Sequence, residues 1–322
     1  MNSSQPGWDA LIAASGLDRL DARALAEHVS QRPRTWLLAH GDEPVLPEQV
    51  QAFQALCRRR AAGEPLAYLT GWREFMGHRF EVGPQVLVPR PETEHLVEAA
   101  LALGDERRQR PTSNRPVSVL DLGTGSGAIA ISLALARPHW RITATDCSSD
   151  ALAQAQRNAA ALGANSLQWR LGSWWQALHS PTLAMGAEGG ATTTREAARR
   201  SALATDAGTR SAAQDGPFDL IVSNPPYLAE CDPHLEDPAL QHEPQGALVS
   251  GPNGMQALEI IAAQAGAWLA PHGWLLLEHG YTQAAAVREC LAKAGFRAVR
   301  TLPDLAGLDR VTLGQWGPSA PV

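Results

Sequence analysis

Apolar and polar positions recur along this chain with two different periods, and the change of period divides it. Over residues 1–72 the period is helical: Ala22, Leu25, Ala26 and Val29 follow the i, i+3, i+4, i+7 spacing of one buried helix face. Pro47 suits a first helical position, and Val50, Phe53, Leu56 and Cys57 then mark one face of a second helix. Breaks at Gly41, Pro44, Gly63 and Pro65 separate these helices, so residues 1–72 are expected to form a small helical bundle. Between 73 and 95 the pattern becomes β-prone, with Phe75, Phe80, Val82, Val86, Leu87 and Val88 interrupted by Gly77 and Gly83. That predicts a β-hairpin linking two domains. Pro89-Arg90-Pro91-Glu92-Thr93-Glu94 then leads into a helix with Leu96, Val97 and Leu101 on its apolar face.

From 96 to 322 short apolar runs alternate with helical stretches. Val117–Leu122, Arg141–Asp146, Phe218–Ser223 and Trp274–Leu277 read as buried strands, and Ala128–Ala136 and Ala151–Ala161 as helices. Buried strands alternating with helices predict an α/β domain: a parallel, doubly wound, Rossmann-like sheet covered on both faces. The stretch from Ser180 to Asp215 breaks the rhythm. Its large apolar residues are Leu183, Met185 and Leu203, it has no aromatic residue, and it is rich in Ala, Gly, Thr, Ser and Arg. Such a segment buries too little surface to offset its ordering entropy, so 180–215 is expected to be a disordered insertion, with an exposed Ala-rich helix around Arg195–Ala204 as the alternative.

Composition narrows the function classes. With 322 residues, 44% of them hydrophobic, the chain has room for a catalytic domain plus a smaller one. A formal net charge of −6 argues against a broad nucleic-acid footprint, which needs a basic face. The run Arg58-Arg59-Arg60 reads as the solvated side of a helix. Cys57, Cys147, Cys231 and Cys290 are widely spaced and form no ligand cluster, which suits a reduced cytoplasmic protein without a metal site. The first residues lack the features of a signal peptide, and no apolar run is long enough for a membrane span.

Three motifs carry chemistry. Asp121-Leu122-Gly123-Thr124-Gly125-Ser126-Gly127 stands where a strand turns into a helix. Its glycines permit a tight turn and close approach of a ligand, and the helix start behind them is expected to offer free N–H groups. Asp146 ends the next strand about 20 residues on, where an acid can accept hydrogen bonds from ribose hydroxyls. Capping of the following helix is the other use for an acid there, but Ser148, Ser149 and Asp150 are at least as well placed for it.

The third motif, Asn224-Pro225-Pro226-Tyr227, follows the strand ending at Ser223, on the rim that carries the glycine loop. An amide nitrogen is a poor nucleophile because its lone pair is delocalised. The Asn224 side-chain oxygen can accept one of its N–H groups, and the carbonyl of Pro225 the other. Together they would orient the nitrogen for in-line attack on a sulfonium methyl and stabilise the charge that develops. Tyr227 offers a flat face to a planar group, and the prolines fix the turn. Trp174, after the third expected strand, suits either the flank of an adenine or the core. Glu278-His279-Gly280, at another strand end, suits a supporting role better than catalysis.

Taken together the chain resembles the bacterial HemK/PrmC family of release factor glutamine methyltransferases. The resemblance rests on Gly63-Glu64-Pro65-Leu66-Ala67-Tyr68-Leu69-Thr70-Gly71, Arg73-Glu74-Phe75, Val88 through Glu94, the glycine loop, Asn224 to Tyr227, Leu277 to Gly280 and Asp309-Arg310-Val311, and covers nearly the whole chain. It implies a class I S-adenosylmethionine methyltransferase fold with a five-helix N-terminal domain that docks the release factor, and methylation of the glutamine in that factor's Gly-Gly-Gln loop. It places cofactor contacts on Asp121, on Gly123, Thr124, Gly125, Ser126 and Gly127, and on Asp146, Trp174 and Asn224. Substrate contacts fall on Asn224, Pro225, Pro226 and Tyr227, of which Asn224, Pro225 and Tyr227 are the catalytic candidates. Ser173 stands where many relatives have an acid, and the 180–215 insertion is outside the family's usual pattern. Three rival readings remain: glutamine methylation of a ribosomal protein, amino methylation of a nucleic-acid base, and a non-catalytic binding module. The base reading would require base flipping and phosphate contacts.

Overall fold

A computed structural model describes residues 5–108, 115–180, 182–183 and 217–317. The chain divides into two compact units, Met1–Pro91 with Pro226–Ala257, and Glu92–Pro225 with Leu258–Val322.

The first unit opens with α1 (Trp8–Ala14), α2 (Arg19–Ser30), α3 (Arg34–Ala39), α4 (Pro47–Ala61) and α5 (Leu66–Thr70). Their apolar stripes meet in one core containing Trp8, Leu11, Leu25, Leu37, Phe53 and Leu69. Ala22, Leu25 and Ala26 of the expected α2 face are fully buried, and Pro47 stands at the start of α4. Arg59 pairs with Glu64 and Arg60 with Asp21, while Arg58 lies exposed.

The hairpin of β1 (Trp72–Phe75) and β2 (His78–Glu81) follows. Its two-residue turn, Met76-Gly77, has φ of 50° and 72°, the left-handed pair that matches the twist of the strands. The structure corrects the β reading of Val86–Val88: these residues are in no strand, although Val86 and Val88 are buried. Side chains replace the ladder that such a buried segment lacks. The Tyr68 hydroxyl donates to the Val86 carbonyl at 2.6 Å, and the Val88 N–H donates to Glu243 Oε2 at 3.1 Å.

Glu243 also holds Arg90 at 2.5 Å, and Pro238 fills the space where Gly63 lacks a side chain. These contacts explain why Pro226–Ala257 belongs with the N-terminal residues, a grouping the sequence pattern does not reveal.

The second unit begins with α6 (Glu94–Arg108) and contains β3 (Ser118–Leu122), α7 (Ala128–Ala136), β4 (Arg141–Asp146), α8 (Ser149–Leu162), β5 (Gln168–Leu171) and β6 (Phe218–Ser223). Helix α9 (Gln256–Ala265) leads to β7 (Leu269–Glu278), α10 (Ala284–Lys293), β8 (Arg297–Pro303) and β9 (Asp309–Gln315). The described strands form a seven-stranded sheet in the order β5-β4-β3-β6-β7-β9-β8. The chain winds outward from β3 through β4 to β5, then returns to β3's other side with β6 and β7, as a doubly wound sheet must.

The sheet is mixed rather than wholly parallel, because β9 runs antiparallel to both β7 and β8. The connection from β8 to β9 is a tight turn, too short for the crossover that a parallel pair requires. The described residues of the stretch expected to be disordered are Ser180, Thr182 and Leu183, and Leu183 bridges to Trp169; the rest of 180–215 lies outside the described residues.

Candidate active site

Three strand ends build the site, all in the second unit. The β3–β6 register pairs Asp121 with Val222, so Gly123 and Asn224 begin adjacent loops on one rim. Ser223 fastens them, its hydroxyl donating to the Leu122 carbonyl at 2.6 Å. On β3's other side the register pairs Leu122 with Thr145, which sets Asp146 beside the same loop. The reversal of strand order between β4 and β6 is where open α/β sheets bind ligands.

The glycine loop is held from within. The N–H groups of Gly123 and Thr124 both donate to the Thr145 carbonyl, at 2.9 and 2.8 Å, and that of Gly127 donates to the Thr124 carbonyl at 2.8 Å. The Gly125 N–H donates to Asp146 Oδ2 at 2.9 Å. The loop is therefore a cradle shaped by its own backbone, with the N–H groups of Gly123, Thr124, Gly125 and Gly127 engaged within it or by the neighbouring strand end.

Its glycines divide by role. All three have positive φ, but a side chain on Gly127 would meet Ile131 at 2.6 Å, whereas one on Gly125 would meet nothing within 4 Å. Gly127 leaves room for Ile131 of its own helix and lets Ala155 of α8 approach to 3.1 Å of that position, and Gly125 leaves space open on the rim. Trp174 lies across Gly123, with its ring 3.6 Å from the position of a Cβ there. That places the Trp174 ring at the loop, while its neighbour Trp175 is the buried one, stacked on Trp268. Thr124 and Ser126 are buried within the loop, and the Ser126 carbonyl accepts from the Asn158 amide at 2.9 Å.

Two carboxylates support this cradle. Asp121 is fully buried and accepts the Thr124 hydroxyl at 2.7 Å through Oδ2, while its Oδ1 has no hydrogen-bond partner. Burial pushes its pKa up to about 7, opposed by the hydrogen bond from Thr124 and by the nearby Ala130 N–H, while the charge of Asp146 adds a smaller rise. Asp146 accepts from Gly125 with one oxygen and from the Ser148 N–H, at 2.9 Å, with the other. Burial raises its pKa as well, opposed by those same N–H groups. The helix cap belongs to Ser148, whose side chain accepts from Ala151. Asp146 is thereby free of the capping role and keeps lone pairs for further donors.

Asn224, like Asp121, has one buried polar atom without a partner. Its amide N–H donates to Thr93 Oγ1 at 3.1 Å, which anchors the side chain. Its Oδ1 is buried and has no hydrogen-bond partner. A buried carbonyl oxygen without a donor is uncommon and costly, and here it stands on the rim that carries the glycine loop. Pro225 ends this unit, and Pro226 and Tyr227 continue into the other.

Thr93 is the site residue that the pattern of the sequence does not single out as functional. It lies at the end of the 3-10 turn Pro91–Thr93, 4% exposed, where a threonine before a helix reads as a cap. His279 proves structural: it is fully buried and joins β7 to β9 through Nε2 to Thr312 Oγ1 at 2.8 Å, and burial lowers its pKa.

The chain is similar to known proteins over nearly its whole length. Residues 8–71 match the family described as PrmC N-terminal domain, and residues 119–187 the family described as Methyltransferase domain. The release factor glutamine methyltransferase of Bordetella pertussis is 46% identical over 304 residues, 94% of this chain and 97% of that one. The Escherichia coli enzyme of the same name is 40% identical over 305 residues, 95% of each chain. Among solved structures, a methyltransferase from Pyrococcus furiosus aligns with 81% of this chain and 99% of its own, at 17% identity and a TM-score of 0.44.

Proposed function

The chain belongs to the release factor glutamine methyltransferases, and from that premise we propose which of its atoms carry the reaction. It is an S-adenosylmethionine-dependent enzyme of the class I methyltransferase fold that methylates a glutamine of a peptide chain release factor. The rival readings, a ribosomal-protein glutamine or a nucleic-acid amine, find no support in these relatives.

The buried, unpartnered Oδ1 of Asn224 carries the assignment of mechanism. It accepts one N–H of the glutamine side-chain amide, and the Pro225 carbonyl accepts the other. The nitrogen is then held with its remaining lobe directed at the donor, and the two oxygens stabilise positive charge as it grows. With the Asn224 N–H bound to Thr93, it is the oxygen that is left for the substrate. Pro226 and Tyr227 complete the turn, Tyr227 against the flat amide.

The cradle fits S-adenosylmethionine: the open space at Gly125, the rim position of Asp146 and the Trp174 ring over Gly123 suit its methionine, ribose and adenine parts. When bound, it supplies a methyl group on a sulfonium. Asp146 accepts ribose hydroxyls, and Gly123–Gly127 with Thr124 and Ser126 shape the backbone around it. Asp121 supports the loop from its buried position.

The glutamine is that of the Gly-Gly-Gln motif, and the helical residues 1–72 dock the factor that bears it. The enzyme works in the cytoplasm, and its acidic balance of −6 goes with the absence of a stable nucleic-acid partner. Among the described residues no helix is long and apolar enough to cross a membrane.

The test is single-turnover methyl transfer to an intact release factor, beside the same factor with the Gly-Gly-Gln glutamine changed to alanine. Asn224→Ala should lower the rate on the order of a hundredfold or more, the usual loss when one such acceptor or donor is removed, with an unchanged melting temperature. Near wild-type transfer by Asn224→Ala, or equal labelling of the glutamine-free factor, would falsify the site or the acceptor respectively.

A further inference from the structure

Four large apolar side chains of the second unit are exposed among the described residues: Ile260, Tyr281, Leu305 and Leu308. Three of them gather at one corner of the sheet. Tyr281 follows the end of β7, and Leu305 and Leu308 lie in the turn joining β8 to β9. Because β9 pairs antiparallel with β7, with Val311 opposite Glu278, this turn projects from the rim that carries the glycine loop and Asn224. Leu305 is 95% exposed, Tyr281 47% and Leu308 40%.

The exposure is imposed by the fold. Asp304 Oδ1 accepts from the N–H groups of Ala306 and Leu308, each at 2.9 Å, and its Oδ2 takes Arg310 Nε at 3.0 Å. The Asp304 N–H donates to the Leu308 carbonyl at 2.8 Å, and Gly307, with φ of +79°, reverses the chain. Arg310 in turn lies 5.6 Å above the Tyr281 ring, which joins the turn to the tyrosine. A single exposed leucine needs no explanation. A leucine held out on a pinned turn, beside a second leucine and a tyrosine capped by arginine, has the make-up of a preorganised contact for another protein.

We propose that this corner, centred on Leu305 with Leu308 and Tyr281, is a docking surface for the intact release factor. The proposal rests on the release-factor reading above. Scale supports it. From β6 to β8 is three strand spacings, about 14 Å at about 4.8 Å each. An ordinary protein interface covers about 800 Å² per partner, a patch about 30 Å across. A patch of that width centred on Asn224 reaches about 15 Å, as far as this corner. Its chemistry selects a protein surface over a phosphate, because the Arg310 guanidinium is already paired with Asp304.

The experiment measures the steady-state constants and the direct affinity of the cofactor-bound enzyme for intact release factor. Its variants are Leu305→Asp and the double variant Leu305→Ser, Tyr281→Ala. Both should raise KM and Kd for the factor about tenfold, the effect of losing one to two kcal/mol of anchor contact. The single-turnover rate at saturating factor and the affinity for S-adenosylmethionine should remain those of wild type. Unchanged KM and Kd in both variants overturns the surface while leaving the enzyme's assignment intact. A fall in saturated rate alone, with KM unchanged, also overturns it. Failure of wild type to label the factor removes the assignment and this surface with it.

Discussion

The amide N–H of Asn224 donates to the hydroxyl oxygen of Thr93 at 3.1 Å, across 131 residues of sequence. The bond leaves the Asn224 oxygen buried and unpartnered, so a residue outside the Asn-Pro-Pro-Tyr turn holds the side chain that is proposed to meet the substrate.

Thr93→Val preserves the branched shape and removes the acceptor. Without it the Asn224 amide can turn over and present N–H where oxygen is needed. Single-turnover transfer should fall about tenfold, the worth of one hydrogen bond, with cofactor affinity unchanged. Thr93→Ser should restore most of the rate. In an Asn224→Ala background Thr93→Val should add nothing, since its role runs through that side chain. A loss that adds to that of Asn224→Ala would show that Thr93 acts elsewhere.

Gly125 and Gly127 should separate cofactor binding from folding. Alanine at Gly127 faces Ile131 at 2.6 Å as well as a φ of +84°, so Gly127→Ala should cost a few kcal/mol and lower the melting temperature sharply. Alanine at Gly125 bears the strained φ of +56° alone, about 1–2 kcal/mol, but puts a methyl into the open space on the rim. Gly125→Ala should thus remain folded and lose cofactor affinity by tenfold or more in calorimetry. Equal cofactor binding by folded Gly125→Ala would mean that the open space is not the cofactor's.

Local periodicity made the strands and helices around the site readable. The helix Ala128–Ala136 and the strands Arg141–Asp146 and Phe218–Ser223 have the bounds their patterns predict, because each is built around a continuous buried run. Strands β8 and β9 carry no such run; β8 is mostly exposed, with polar residues at Arg297, Arg300 and Thr301, and its place beside β9 comes from the turn between them. The fall of Pro226–Ala257 into the N-terminal unit was equally hidden, since it depends on Glu243 meeting Val88 and Arg90 some 150 residues away. The glycine loop, Asp146 and Asn224 were legible as residue types at strand ends. Thr93 was not legible as Asn224's partner, because a hydrogen bond between distant segments leaves no spacing to read.

Asp146 binds two loop amides in the structure, so its removal should act twice. Asp146→Ala deletes the proposed acceptor of the ribose hydroxyls and also frees the Gly125 N–H from its 2.9 Å bond. Affinity for S-adenosylmethionine should fall roughly ten- to a hundredfold, the range of one charge-assisted bond. The melting temperature should drop only slightly, and the rate of the bound complex less than the affinity. Unchanged calorimetric affinity in a folded variant rules out the ribose role.

Asp121 gives the apoenzyme a pH dependence whose sign is unusual for an aspartate. Its carboxyl is fully buried, and burial holds its pKa at about 7, against about 3.9 in an unfolded chain. Between those values the unfolded chain has released a proton that the native protein keeps. The contribution of Asp121 to stability is therefore complete below about pH 4 and is lost as pH rises through 7. Asp121→Asn can still accept the Thr124 hydroxyl and never ionises. Its amide N–H groups would point to where Oδ1 has no partner, a penalty that is the same at every pH. The informative quantity is thus the difference in melting temperature, variant minus wild type, measured without cofactor. It should rise by several degrees from pH 5 to pH 8.5, as the wild type alone acquires a buried charge. A difference that stays flat over that range would mean that Asp121 ionises normally in the folded protein, and that the loop accommodates its charge.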